Sequence, residues 1–159
     1  MLKKLIIAVA AAILASYGLA YLILPERNPT ARYEGVILSE SADKILKHAC
    51  FDCHSNETQW PWYTQIPPVN ILLAYNVSHG REELNFSNWD QMEQKKRARK
   101  MEEAIEEAEE AEMPPLPYTW MHEGVVLTHD QIEELEAAEK VLFGVREEHE
   151  GDEHDHADK

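Results

Sequence analysis

Cys50, Phe51, Asp52, Cys53 and His54 form a Cys-x-x-Cys-His run, and it contains both cysteines of the chain. Two thiols three positions apart can each add to one vinyl group of a haem. The adjacent imidazole then lies under the iron as an axial ligand. No odd thiol is left over. Three other chemistries use the same residue types. A thiol–disulfide redox site usually lies in a βαβ context, and no such pattern surrounds this pair. Zinc needs two further ligands with similar pairing. His48 and His79 could serve, but there is no second pair. A structural disulfide is the third rival. The histidine after the second cysteine favours haem over all three.

An iron held by His54 has an opposite face to fill. A Met thioether there favours electron transfer over ligand binding. Met113 is the first candidate, because it precedes Pro114-Pro115, a rigid turn that can aim one side chain across a cleft. Met121 and His122 are its main rivals, and His79 is a weaker one. Met92 and Met101 fall on a helical apolar stripe and are assigned to the core. Trp60, Trp62 and Tyr63 are candidates to wall the porphyrin. Arg81 is a candidate partner for a haem propionate. His149, His154 and His156 sit among acids near the C-terminus, where a loose metal site competes with a plain solubilising tail.

The elements that must position these residues read as helices. Met1 to Lys4 is a short basic start, and Leu5 to Leu24 is twenty residues without a charge. Such a helix would be roughly 30 Å long, enough to cross a bilayer core. Signal peptides carry a shorter apolar run, about 7–15 residues, before small residues at the cut. Here Tyr21 to Leu24 continues past Ala20, which favours an uncleaved anchor over a cleaved signal. Lys3 and Lys4 place the N-terminus inside. The remainder is then exported, in a bacterium to the periplasm or the outer face of the cytoplasmic membrane. That compartment suits covalent haem attachment.

Residues 25–38 read as a polar tether. Ser39 and Ser41 are candidate caps for a helix through Ile45, Leu46 and Ala49 that delivers the cysteine motif at its end. Three prolines in 61–68 keep the aromatic loop from being helical. A second helix is expected from Val69 to about Glu83. Ser87 to Asp90 reads as a capping start for a long charged helix to about Glu112. Seven Glu between Glu102 and Glu112 oppose the helix dipole, so fraying is expected there. Thr128 to Gln131 is a further capping box, and its helix should stop at Gly144. Residues 145–159 hold almost nothing apolar and read as disordered. No strand alternation is sustained, so the fold class is all-α. The expected layout is 1–24 anchor, 25–38 tether, 39–144 a small helical domain carrying the cysteine motif, and 145–159 tail.

The motifs also stand in the order of a known family. Cys50 to Thr58, Trp60 to Tyr63, Gly80 to Ser87, and Met113-Pro114-Pro115 followed by Tyr118 and His122 resemble the bacterial haem-binding-domain family, small monohaem relatives of cytochrome c. The resemblance covers about Tyr33 to Gly144. It implies a compact helical fold holding one covalent haem c, without implying a reaction. It also places a Met-Pro at the second ligand position. In cytochrome c the proximal imidazole donates to a proline carbonyl, which Pro61, Pro67 or Pro68 would supply here.

Charge narrows the partners. Fifteen Lys and Arg against thirty Asp and Glu give a formal net charge of −15. Phosphate capture needs clustered positive charge, so nucleic acid is excluded as a partner. A redox partner with a basic docking face is expected instead. The sequence therefore points to a membrane-tethered periplasmic monohaem cytochrome that passes single electrons, a carrier rather than an enzyme. A haem enzyme or gas or redox sensor with an open sixth position is the alternative. A haem-free thiol or zinc module is the third possibility.

Overall fold

The computed structural model describes residues 2–23, 27–30, 32–66 and 68–144, with the side chains of 19–23 outside the description. Every regular element among them is helical, in agreement with the all-α expectation. The acidic tail 145–159 and Pro67 lie outside the described residues.

The first helix, α1 (Leu2–Ile23), presents exposed apolar side chains along the part described. Among the described residues no helix is long and apolar enough to cross a membrane; the expected anchor 5–24 lies only partly within that description, since the side chains of 19–23 and residue 24 are outside it.

In the segment expected to be a polar tether, 25–38, the described residues pack on the domain. The described part is docked at both ends. Asn28 donates to the Thr58 carbonyl at 3.0 Å, and Arg27 donates to the Thr64 carbonyl at 2.9 Å. Ile37 and Leu38 are buried, and both their N–H groups donate to the Asp43 carboxylate. A short polar segment can pack when its backbone donors find a buried acceptor.

Ser39 caps α2 (Glu40–Ala49) by accepting from the Ala42 N–H, and Ile45, Leu46 and Ala49 are buried along one face. A single turn, α3 (Phe51–His54), follows directly. Residues Trp62–Gln65 form a 3₁₀ turn, and α4 spans Val69–Glu83 as expected.

The long charged helix does not begin at Ser87. Phe86–Gln91 is 3₁₀, Met92 is extended, and α5 runs Gln94–Glu109. The Ser87 hydroxyl accepts from the Asn56 N–H at 2.8 Å, so it is committed to another segment instead of capping a helix. At its far end α5 stops short of Glu112, and Ala111 takes a left-handed φ of 58°. The N–H groups of Glu112 and Met113 both donate to the Glu107 carbonyl, which turns the chain toward Met113. A short α6 (Leu116–Thr119) follows. Thr128 and Gln131 form the expected capping box of α7 (His129–Phe143), and Gly144 ends it at φ 84°.

The core lies between α2, α5 and α7 around Leu46, Phe86, Trp89, Met101 and Leu135. Phe86 is stacked on Phe51 with centroids 5.3 Å apart and touches Trp89 at 5.7 Å. Such aromatic contacts add to the apolar area they bury. Met101 is fully buried and Met92 packs against the core, as expected.

Candidate functional site

Cys50 ends α2 and caps α3, and the His54 N–H donates to the Cys50 carbonyl at 2.9 Å. One helical turn thus sets Cys50, Cys53 and His54 at i, i+3 and i+4, the spacing that shares a face. All three line one cavity of about 300 Å³. Its walls are mostly apolar, with Leu46, Phe86, Met101, Ile105 and Leu135 among them, and Met113-Pro114-Pro115 line it too.

The motif is held from behind. Gly80 lets α4 approach it: a Cβ there would lie 2.9 Å from the Cys53 carbonyl oxygen. Asp52 is not among the residues lining the cavity and joins three neighbours. Its carbonyl accepts from Thr58 Oγ1, one carboxylate oxygen accepts from the Gln59 N–H, and the other from the Tyr118 hydroxyl at 2.8 Å. Ser55, wholly buried, donates to the Phe51 carbonyl and accepts from the Glu57 N–H.

His54 Nδ1 lies 3.0 Å from the Leu84 carbonyl oxygen. A carbonyl only accepts, so Nδ1 carries the proton and Nε2 keeps its lone pair. Burial pushes the imidazole pKa below its ordinary value, against the upward pull of the Leu84 bond. The ring is therefore neutral near pH 7, the form that ligates metal. The acceptor is Leu84, at the end of α4, rather than Pro61 or Pro68; Pro67 lies outside the described residues.

Burial also raises both thiols, Cys50 to about 12 and Cys53 to about 11. A thiol–disulfide site needs the opposite, a lowered pKa that supplies thiolate. The two cysteines are not paired with each other. Among the described residues no group of three His, Cys, Asp or Glu could hold a metal ion.

The haem-binding domain family's sequence profile matches residues 19–139. The chain belongs to that family. No curated protein and no solved structure matches the chain. Haem is the cofactor that family membership implies, and the cavity's donors suit it: an imidazole whose Nδ1 is bonded to Leu84, a thioether, and two unpaired thiols around mostly apolar walls. Its volume lies at the low end of the usual range for cofactor sites, roughly 300–1,000 Å³.

The structure separates the sequence candidates. Met113 lines the cavity with the two cysteines and His54; Met121, His122 and His79 do not. His122 stacks on Tyr118 at 3.9 Å, and the His79 ring is exposed and stacked on Tyr75. Trp60, Trp62 and Tyr63 are not cavity walls, contrary to expectation. Trp60 bonds Asn28 through its indole N–H and lies under the Arg27 guanidinium, 5.1 Å from its centroid. Trp62 is 76% exposed. Arg81 is no free propionate partner either. Its guanidinium donates to the carbonyls of Ser55 and Arg27 and to the side chains of Asn28 and Thr58. A planar fork of donors suits such a knot.

Three residues absent from the expected set belong to the site. Lys100 is the cation on the cavity wall, 2.9 Å from Glu103 and 3.4 Å from Glu83. Its bond to Glu103 holds its pKa above the ordinary value. Tyr118 lines the cavity and bonds Asp52, and burial foremost raises its phenol pKa. Leu84 also lines the cavity, and its main-chain carbonyl is what meets His54. Tyr118 has a sequence signal, since it stands in the Met113…His122 pattern. Lys100 is lost among the charges of α5, and a main-chain acceptor leaves no side-chain signature.

Proposed function

We propose that the protein is a monohaem c-type cytochrome that transfers single electrons, held at the outer face of a bacterial cytoplasmic membrane by residues 5–24. The observation that carries this reading is the convergence of Cys50, Cys53, His54 and Met113 on one apolar cavity, with His54 oriented by Leu84. Cys50 and Cys53 would form the two thioethers, His54 Nε2 the proximal ligand and Met113 the distal one. Bound there, haem supplies an iron that cycles between ferrous and ferric states.

The chain's own residues do the rest. The Leu84 carbonyl fixes the His54 tautomer, and a stronger proximal donor follows from that bond. Leu46, Phe86 and Met101 keep water from the ring. Lys100 is a cation on the cavity wall that a propionate would have to win from Glu103 and Glu83. The uncharged run from Leu5, helical to Ile23, supports the anchor. The net charge of −15 supports docking to a basic partner, with association that weakens as salt rises.

The test is expression of the full chain with a covalent haem maturation system. The expected result is a denatured polypeptide whose mass includes one haem, and a reduced spectrum typical of two thioether links. A chain that releases all haem on denaturation overturns the c-type assignment.

A second reading follows from Met113, which is 43% exposed and sits on a loop. A weakly held thioether would let an external ligand displace it, making the protein a gas sensor or peroxide-reacting haem protein. Rapid carbon monoxide binding to the ferrous form favours that reading; a ferric absorption band from Met–iron ligation favours electron transfer.

A further inference from the structure

Thr58 to Gly80 contains no Asp, Glu, Lys or Arg, in a chain with 28% charged residues. Within this segment Trp62, Ile66, Val69, Leu72 and Tyr75 are all exposed large apolar side chains. Val69, Leu72 and Tyr75 recur at three-residue steps and so share the outer face of α4, while Asn70, Ala74 and Val77 face inward. The 3₁₀ turn with Trp62 packs against α4 and continues that face. A contiguous apolar surface of this kind marks an interaction site.

The covalent chain selects the partner. Four Cα steps separate Ile23, where α1 ends, from Arg27, a span of at most about 14 Å. Arg27 is pinned to the domain at both ends: its guanidinium to the Thr64 carbonyl inside the 3₁₀ turn, and its own carbonyl to Arg81. If α1 lies in a bilayer, the turn carrying Trp62 cannot stand away from that bilayer. Trp and Tyr are also the residues that settle at the membrane interface. An acidic body is repelled by anionic headgroups, and this uncharged face is free of that penalty.

We infer that the Trp62–Tyr75 face rests in the interfacial layer of the bilayer and fixes how the haem domain stands on the membrane. This rests on the anchor reading of residues 5–24. The four tryptophans are at 60, 62, 89 and 120, none of them in α1, so indole fluorescence reports the domain alone. The test uses the full haem-loaded chain in phosphatidylcholine vesicles, with and without bromine on the acyl chains. Flotation with the vesicles reads the anchor, and quenching by brominated lipid reads the face. The expected result is quenching that Trp62→Phe largely removes, Trp120→Phe retains, and the Leu72→Gln, Tyr75→Gln pair weakens. Flotation without Trp62-dependent quenching overturns the docking face and leaves the anchor standing. Failure to float overturns both. Cross-linking of copies through Trp62 without quenching assigns the face to a second chain and likewise overturns the proposal.

Discussion

The two parts of the cavity wall that carry the proposed ligands, proximal at Cys50 to His54 and distal at Met113, are built differently. Cys50 to His54 is backed by the Ser55 hydroxyl on the Phe51 carbonyl and by the close approach of α4 at Gly80, and the residues just after it are held by the Asn56 N–H on Ser87 and by the Arg81 knot. The segment from Met113 to His122 is largely exposed, with Leu116, Trp120 and Met121 facing out. Its tie to the opposite wall is the Tyr118–Asp52 bond. The proximal side is thus set before any cofactor arrives, whereas the distal side can adjust. Substitutions should separate the two walls: proximal changes should cost stability, and distal changes should alter ligation in a chain that still folds.

The largest effect belongs to the cysteines. In a Cys50→Ala, Cys53→Ala chain, haem staining of a denaturing gel should vanish altogether. The same pair sharpens the comparison through pH. Both thiols stand above the ordinary 9.0 in the folded, haem-free chain, to about 12 and about 11. Above pH 9 the unfolded chain gives up these protons before the folded one, so folding stability falls as pH rises. His54 acts at the other end. Its folded pKa lies below 6.5, so the unfolded state binds the extra proton, and stability falls as pH drops below about 6.5. Denaturant unfolding of the haem-free chain should be most resistant between those limits. In the haem-loaded chain the alkaline loss from the thiols should disappear, because thioethers do not titrate. An identical alkaline slope in both forms would refute the attachment.

Next is Arg81→Met, which should cost roughly 3 kcal/mol, since hydrogen bonds to a charged donor contribute about 1.5–3 kcal/mol and several acceptors lose theirs. Urea unfolding of the haem-free chain measures it. A loss below about 1 kcal/mol would show that Arg81 is a solvated cation, free to meet a propionate after all.

Arg81 also shows where sequence legibility ended. Its partners Arg27 and Asn28 lie more than fifty positions earlier, so nothing local announces the knot. Trp60 was misassigned for the same reason: Asn28 takes its indole N–H. Features set by neighbours in sequence were legible. The α4 range, the Thr128 capping box and the Gly144 stop follow from local backbone chemistry. Ser87 failed as a cap because a distant N–H, that of Asn56, claims its hydroxyl. At the site, Cys50, Cys53 and His54 announce themselves through spacing, and Met113 through its prolines. Leu84 could not, because its contribution is a carbonyl that every residue carries.

Crossing to the distal wall, Tyr118→Phe should cost about 1.5 kcal/mol, the loss of one hydrogen bond to a carboxylate. With Met113 less firmly positioned, ferrous carbon monoxide binding should quicken. Unchanged binding would show that Asp52 and Tyr118 fasten the segment without aiming Met113.

Smallest in stability is Met113→Ala. Met113 is 43% exposed, and truncations at such places usually cost about 0.5 kcal/mol. Urea midpoints of the haem-free forms should therefore nearly coincide. The haem-loaded form should behave otherwise. It should lose the ferric Met–iron band, bind carbon monoxide freely and show a lower reduction potential, because a Met thioether opposite His raises the potential. Met121→Ala and His122→Ala should leave all three readouts in place, since neither residue lines the cavity. Were the band to survive in Met113→Ala and vanish in Met121→Ala, the exposed loop would have to rearrange on haem binding. The distal wall would then be more adjustable than its hydrogen bonds indicate.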